Sequence, residues 1–180
     1  MNKYSKKAYF VVANGTEVTE YLATKDVLLR AGINPIQIGN GFDYVQYRND
    51  EYYDFKADDC DILIFPGGRG TEYTKFYATH DPLKSEVFKV LEKGGVVAAI
   101  CAAPSILGEL GLLKGKRYTC FPGFSKEEFG GEYTKEAVVT DGNIITARSM
   151  YYSCDFALAI IEKVLGKIKR DEVEKQIKGL

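Results

Sequence analysis

The 180-residue chain predicts a doubly wound α/β fold, a mostly parallel sheet with helices on both faces. Three observations carry that prediction. Short, unbroken apolar runs such as Ile62-Leu63-Ile64-Phe65 and Val96-Val97-Ala98-Ala99-Ile100 read as strands buried on both faces. Stretches of helical period separate them, which implies right-handed crossovers between parallel neighbours. Small-residue corners follow the runs, at the strand ends where sites form in such sheets.

The elements follow in order. Lys7–Ala13 is a first strand, closed by Asn14-Gly15. Thr16 is placed to cap a helix whose apolar stripe runs through Val18, Tyr21, Leu22, Leu28 and Leu29 to Gly32. Ile33–Ile38 is a second strand with Pro35 near its start. The polar, tyrosine-rich stretch 39–59 holds at most a short strand near Tyr44–Tyr47. Cys60–Phe65 is a third strand, ending in Pro66-Gly67-Gly68-Arg69-Gly70, and a helix follows over Pro82–Leu91. After Val96–Ile100, Pro104, Leu107 and Leu110 open a helix that Gly111 stops. Lys116–Cys120 reads as a short strand before the loop Phe121-Pro122-Gly123. Ala137–Thr140 and Ile144–Ala147 form a hairpin across Asp141-Gly142-Asn143. Ser153 caps a helix through Leu165, and Lys167–Leu180 is a charged closing helix or tail. With no repeat and no linker, residues 1–180 are expected to make one domain.

Composition narrows the function classes. Acids and bases nearly balance, with a formal net charge of −1, so nothing calls for nucleic acid or an anionic membrane. No apolar run approaches a membrane span, and the first residues lack the features of a secretory signal. Cys60, Cys101, Cys120 and Cys154 are widely spaced, which suits neither a disulfide framework nor a zinc site. The chain reads as a reduced, cytosolic protein with no metal and no cofactor.

Cys101 sits between the Val96–Ile100 strand and its helix, with Ala102 and Ala103 letting the corner close. That is the geometry of a nucleophile elbow. Helix N–H groups there favour a thiolate, so the expected pKa is lowered to roughly 3.5–7.5. The plain alternative is a small buried hydrophobe. Gly67 and Gly68 allow close backbone approach to a ligand, and with the Ala102 N–H they could form an oxyanion hole, or they could serve only a tight turn. Glu17 and Glu20 share one helical face; a carboxyl beside the sulfur would have a raised pKa and could work as general acid and base. That requires the first strand and the Cys101 strand to be near neighbours. His80, the only histidine, falls in an entry loop and is expected to face solvent, which argues against a cysteine-protease mechanism.

Ala13-x-Gly15-x-Glu17-x-x-Glu20, Phe65-Pro66-Gly67-Gly68, Ala98-Ala99-Ile100-Cys101-Ala102-x-Pro104 and Asp155-Phe156-Ala157-Leu158-Ala159 stand in an order that resembles the ThiJ/PfpI superfamily (DJ-1/PfpI). The branch it looks most like is the Parkinsonism-associated, deglycase-like one. The resemblance implies a flavodoxin-like sandwich of the class I glutamine amidotransferase type, commonly a homodimer. It implies Cys101 as the elbow cysteine, Glu20 as the carboxyl hydrogen-bonded to it, the Gly68 and Ala102 amides facing the sulfur, and Glu17 as second acid. Three departures stand out. Ala102 replaces the histidine of protease-like members. Phe121 replaces a histidine of many deglycase-like ones. Arg148-Ser149-Met150-Tyr151-Tyr152 replaces an Arg-Gly-Pro-Gly-Thr segment, so Tyr151 and Tyr152 are expected to narrow or reshape the pocket. Cys120 reads either as a resolving thiol for Cys101 or as an apolar filler. Two functions follow as expectations: a glyoxalase- or deglycase-type enzyme acting on a small carbonyl substrate, or a stress protein whose Cys101 is oxidised to sulfinate. A binding module on the same fold is a third.

Overall fold

In the computed structural model, which describes residues 5–39, 52 and 54–180, the unbroken apolar runs form the centre of a six-stranded sheet. Ile62–Phe65 (β3) and Val96–Ile100 (β4) are buried at every residue. They pair in parallel, Ile62 opposite Val96 and Phe65 opposite Ala99. Lys6–Val11 (β1) lies on the far side of β3, and Ile33–Ile38 (β2) beyond it, both parallel. The other flank is Ile144–Ala147 (β8), parallel to β4, with Val138–Asp141 (β7) antiparallel at the edge. The order is therefore β2-β1-β3-β4-β8-β7, and the chain reverses its direction of travel across the sheet between β1 and β3. Ligand sites in open α/β sheets form beyond the carboxyl ends of strands at such a switch point.

Strand pleat explains why β3 and β4 carry no polar residue. Ile62, Ile64, Val96, Ala98 and Ile100 face one apolar layer, shared with Val18–Arg30 (α1), Ser153–Leu165 (α5) and Val173 of Lys167–Lys178 (α6). Leu63, Phe65, Val97 and Ala99 face the other, shared with Thr71–Ala78 (α2), Leu83–Glu92 (α3) and Pro104–Glu109 (α4). Each fully buried Ile, Leu or Phe contributes about 1.5–3 kcal/mol, so the strands hold the helices on both faces. Among the described residues no helix is long and apolar enough to cross a membrane.

Several local expectations are corrected. Thr16 does not cap α1: its hydroxyl accepts from Ala13 N at 3.0 Å, and Glu17 is the N-cap, accepting from Thr19 N at 3.3 Å. Ser153 lies within the first turn of α5, donating from its hydroxyl to Met150 O at 2.7 Å, and Tyr152 holds the cap position. The strand expected over Lys116–Cys120 shortens to Arg117–Tyr118 (β5), which pairs in parallel with Glu132–Tyr133 (β6) in a separate two-stranded sheet. Helix α2 has no counterpart in the sequence reading. The strand expected near Tyr44–Tyr47 lies outside the described residues.

Candidate active site

β4 ends in a corner that no ordinary residue adopts freely. Cys101 has φ of 65°, the only positive value at a non-glycine residue among those described, and such a conformation costs about 1–3 kcal/mol. Bonds on both sides hold it there: Cys101 N donates to Ala147 O at 2.9 Å, and Cys101 O accepts from Phe121 N at 2.7 Å. The thiol is half-buried, and the N–H groups of Ala102 and Gly68 both bond to the sulfur. The elbow and the two amides thus meet at one sulfur.

Gly67 and Gly68 are there for space and for backbone reach. A Cβ on Gly67 would lie 2.7 Å from Cys101 Cβ, 2.8 Å from Glu20 Oε2 and 2.9 Å from Ile100 O. Gly68, with φ of 92°, forms a bridge to Thr16. Glu17 N donates to Gly67 O at 2.9 Å, and Gly70 N to Gly15 O at 2.9 Å. The loops after β1 and β3 are stitched together. This resolves how an acid from α1 reaches the sulfur although β3 lies between β1 and β4: Glu20 crosses by way of Gly67, whose N–H donates to Oε2 at 2.7 Å.

Glu20 is 1% exposed, and its Oε1 is buried without a hydrogen-bond partner. Burial raises its pKa to about 7, against the Gly67 N–H and the Cys101 thiol, which favour the carboxylate; the charge of Glu17 adds to the rise. The expected low thiol pKa is overturned. Burial, then the Glu20 charge and its hydrogen bond, push Cys101 up to about 12 despite the two N–H donors. A helix terminus visible in sequence says nothing of the water lost around the sulfur or of the adjoining carboxylate. Once Glu20 takes a proton, its repulsion vanishes and the acid becomes a donor, so that burial alone opposes the amides that favour the thiolate.

The remaining candidates separate. Glu17 is tied to the first turn of α1 and acts on Glu20 through its charge. Cys120 is fully buried in the layer opposite the one Cys101 packs against, and burial raises its pKa to about 11; it is an apolar filler. Phe121 pins the elbow through its backbone while its side chain is 44% exposed. Arg148 donates to Lys135 O at 3.2 Å. Tyr151 is 82% exposed against the edge of Tyr152, so it does not fill a pocket within this chain. His80 stacks on Phe76 and its Nδ1 lies 2.6 Å from Phe76 O, on the exposed surface. Ala147, whose carbonyl fixes the elbow, escaped the sequence because any residue there offers a carbonyl.

Fold and site together define an elbow-cysteine protein of the doubly wound α/β class. The chain belongs to the DJ-1/PfpI family, whose profile matches residues 6–163. It is 34% identical over 183 residues to protein dj-1beta of Drosophila melanogaster, covering 95% of this chain and 96% of that one. The crystal structure of Drosophila melanogaster DJ-1beta superposes with a TM-score of 0.78 at 32% identity, over 96% of this chain and 97% of that one. A Caenorhabditis elegans relative, 29% identical over 89% of each chain, is named glutathione-independent glyoxalase DJR-1.2.

Proposed function

We propose that this chain is a Cys101-dependent enzyme acting on small reactive carbonyls, of glyoxalase or deglycase type, with Glu20 as its proton shuttle. The observation that carries the reading is the shared site of one sulfur, two N–H donors and a buried carboxyl whose pKa is about 7. A group poised near neutral pH both accepts and returns protons efficiently. The name of the nematode relative supports the same chemistry.

With an α-oxoaldehyde, the sulfur bonds to the aldehyde carbon and the thiol proton passes through Glu20 to the carbonyl oxygen. The Gly68 and Ala102 amides hold that oxygen as it gains charge, an effect worth about 100- to 1,000-fold per donor. Glu20 then moves the proton on the former aldehyde carbon to the neighbouring ketone carbon, by way of an enediol. A thioester results, and water cleaves it to an α-hydroxy acid and the free thiol. One carbon is oxidised and its neighbour reduced, so no outside redox partner is needed. A single domain over residues 1–180, a homodimer and a cytosolic setting belong to this reading.

The test is lactate formation from methylglyoxal. Wild type turns over and Cys101→Ser does not; a folded wild type without turnover removes the reading. A second reading rests on the unpartnered Glu20 Oε1. Two molecules of hydrogen peroxide convert the thiol to sulfinic acid with release of two waters, and a protonated Glu20 would donate to a sulfinate oxygen. Selective appearance of that mass at Cys101 without carbonyl turnover favours it.

A further inference from the structure

We infer that Arg69 recruits carboxylate-bearing ligands to Cys101, so that the preferred carbonyl is an α-oxoaldehyde carrying a carboxylate. The choice of substrate rests on the carbonyl reading above; the recruitment itself does not.

Arg69 is the residue after Gly68, whose N–H bonds to the sulfur. One peptide spans at most about 5 Å from that nitrogen to the Arg69 Cα. A guanidinium on a three-carbon stem is long enough to meet a small molecule bonded to Cys101. The backbone that carries it is held in place: Thr16 bridges to Gly68, Gly70 N donates to Gly15 O at 2.9 Å, and a Cβ on Gly15 would lie 3.3 Å from Arg69 Cβ. Its side chain is exposed, and among the described residues it has no ion pair and no hydrogen bond. The other arginines among the described residues are engaged: Arg30 with Asp26, Arg117 with Glu136, Arg148 with Lys135 O, and Arg170 with Asp171 and Glu174.

The nearby acids leave the cation its charge. Glu20 is buried with a pKa of about 7, and Glu17 caps α1 through Thr19 N. An unpaired, exposed guanidinium attracts a carboxylate through its charge, on the scale of an exposed ion pair. Glu72, in the first turn of the helix that follows, is paired with Lys75 at 2.8 Å.

Alkylation of Cys101 tests recruitment without requiring turnover. Iodoacetate, an anion, and iodoacetamide, its neutral counterpart, make the same S–C bond; iodide leaves and the thiol proton goes to solvent. Rates at Cys101 are read by peptide mass spectrometry in wild type, Arg69→Gln and Arg69→Lys. The iodoacetate-to-iodoacetamide rate ratio is expected to fall about fivefold in Arg69→Gln, the scale of an exposed ion pair, and to recover in Arg69→Lys. The wild-type ratio should also fall as salt rises from low to physiological strength. A ratio that is the same in all three proteins overturns the inference, as does a fall that Arg69→Lys does not repair. In the turnover arm, kcat/KM for 4,5-dioxopentanoate relative to methylglyoxal follows the same pattern. A shifted alkylation ratio without turnover of either aldehyde removes the carbonyl reading and leaves recruitment standing.

Discussion

Cys60 and Cys101 stand at opposite ends of the sheet and share one number. Each thiol is pushed up to about 12. At Cys60, just before β3, burial in the apolar layer is the leading cause, and the residue is fully enclosed. At Cys101, which is only half-buried, burial again leads, and the Glu20 charge is the second cause of the rise. The difference teaches that a high thiol pKa does not mark an inert sulfur. What matters is whether the cause can be switched off. Water cannot be returned to Cys60 without unfolding the strand, whereas a single proton on Glu20 removes the repulsion at Cys101.

The strongest way to break this comparison is to exchange the two sulfurs for other groups. Cys101→Ser should lower methylglyoxal turnover by on the order of a thousandfold or more, measured by lactate release. Cys60→Ser should keep turnover but lose about 1–3 kcal/mol of stability by burying a hydroxyl among apolar groups, measured by urea unfolding.

Glu20→Gln sharpens the comparison next. Turnover should fall about 100-fold for loss of the shuttle. The alkylation pKa of Cys101 should drop, since the opposing charge is gone, while that of Cys60 should not move. Stability gives an independent reading. Folded Glu20 keeps its proton up to about 7, whereas an unfolded glutamate releases it near about 4.3. Between those values the folded state binds more protons, so stability falls as pH rises through that window, by about 4 kcal/mol in all. In Glu20→Gln that part of the slope should disappear from urea midpoints taken across pH 4–8.

Gly67→Ala should cost about 1–3 kcal/mol, because its new Cβ would collide with Cys101, Glu20 and the backbone of Ile100. Circular dichroism melts, together with the rate of Cys101 alkylation, would show both the instability and the displaced elbow. Tyr151→Ala should do least, within about 0.5 kcal/mol, since the ring is 82% exposed.

Legibility tracked how local each cause was. β3 and β4 were readable because strands buried on both faces leave no polar position, and the hairpin of β7 and β8 because Gly142 supplies φ of 61° at its turn. Helix α2 was not, because Tyr73 and Phe76 are exposed while Thr71 and Thr74 are buried, which inverts the usual pattern. The pairing of β5 with β6 joins segments of two residues, too short for any period to register. Within the site, Cys101, Glu20, Gly68 and Ala102 were found from their motifs. The direction of the thiol's pKa was not, since burial is set by chain far away in sequence.

The cradle around Cys101 draws its pieces from the ends of β1, β3 and β4, with Glu20 and Gly67 47 positions apart along the chain. Apart from Ala102, next to Cys101 in the chain, none of those pieces can meet the sulfur before the strands have paired. A nascent or unfolded chain therefore carries only an ordinary thiol, and the chemistry is withheld until the molecule is built.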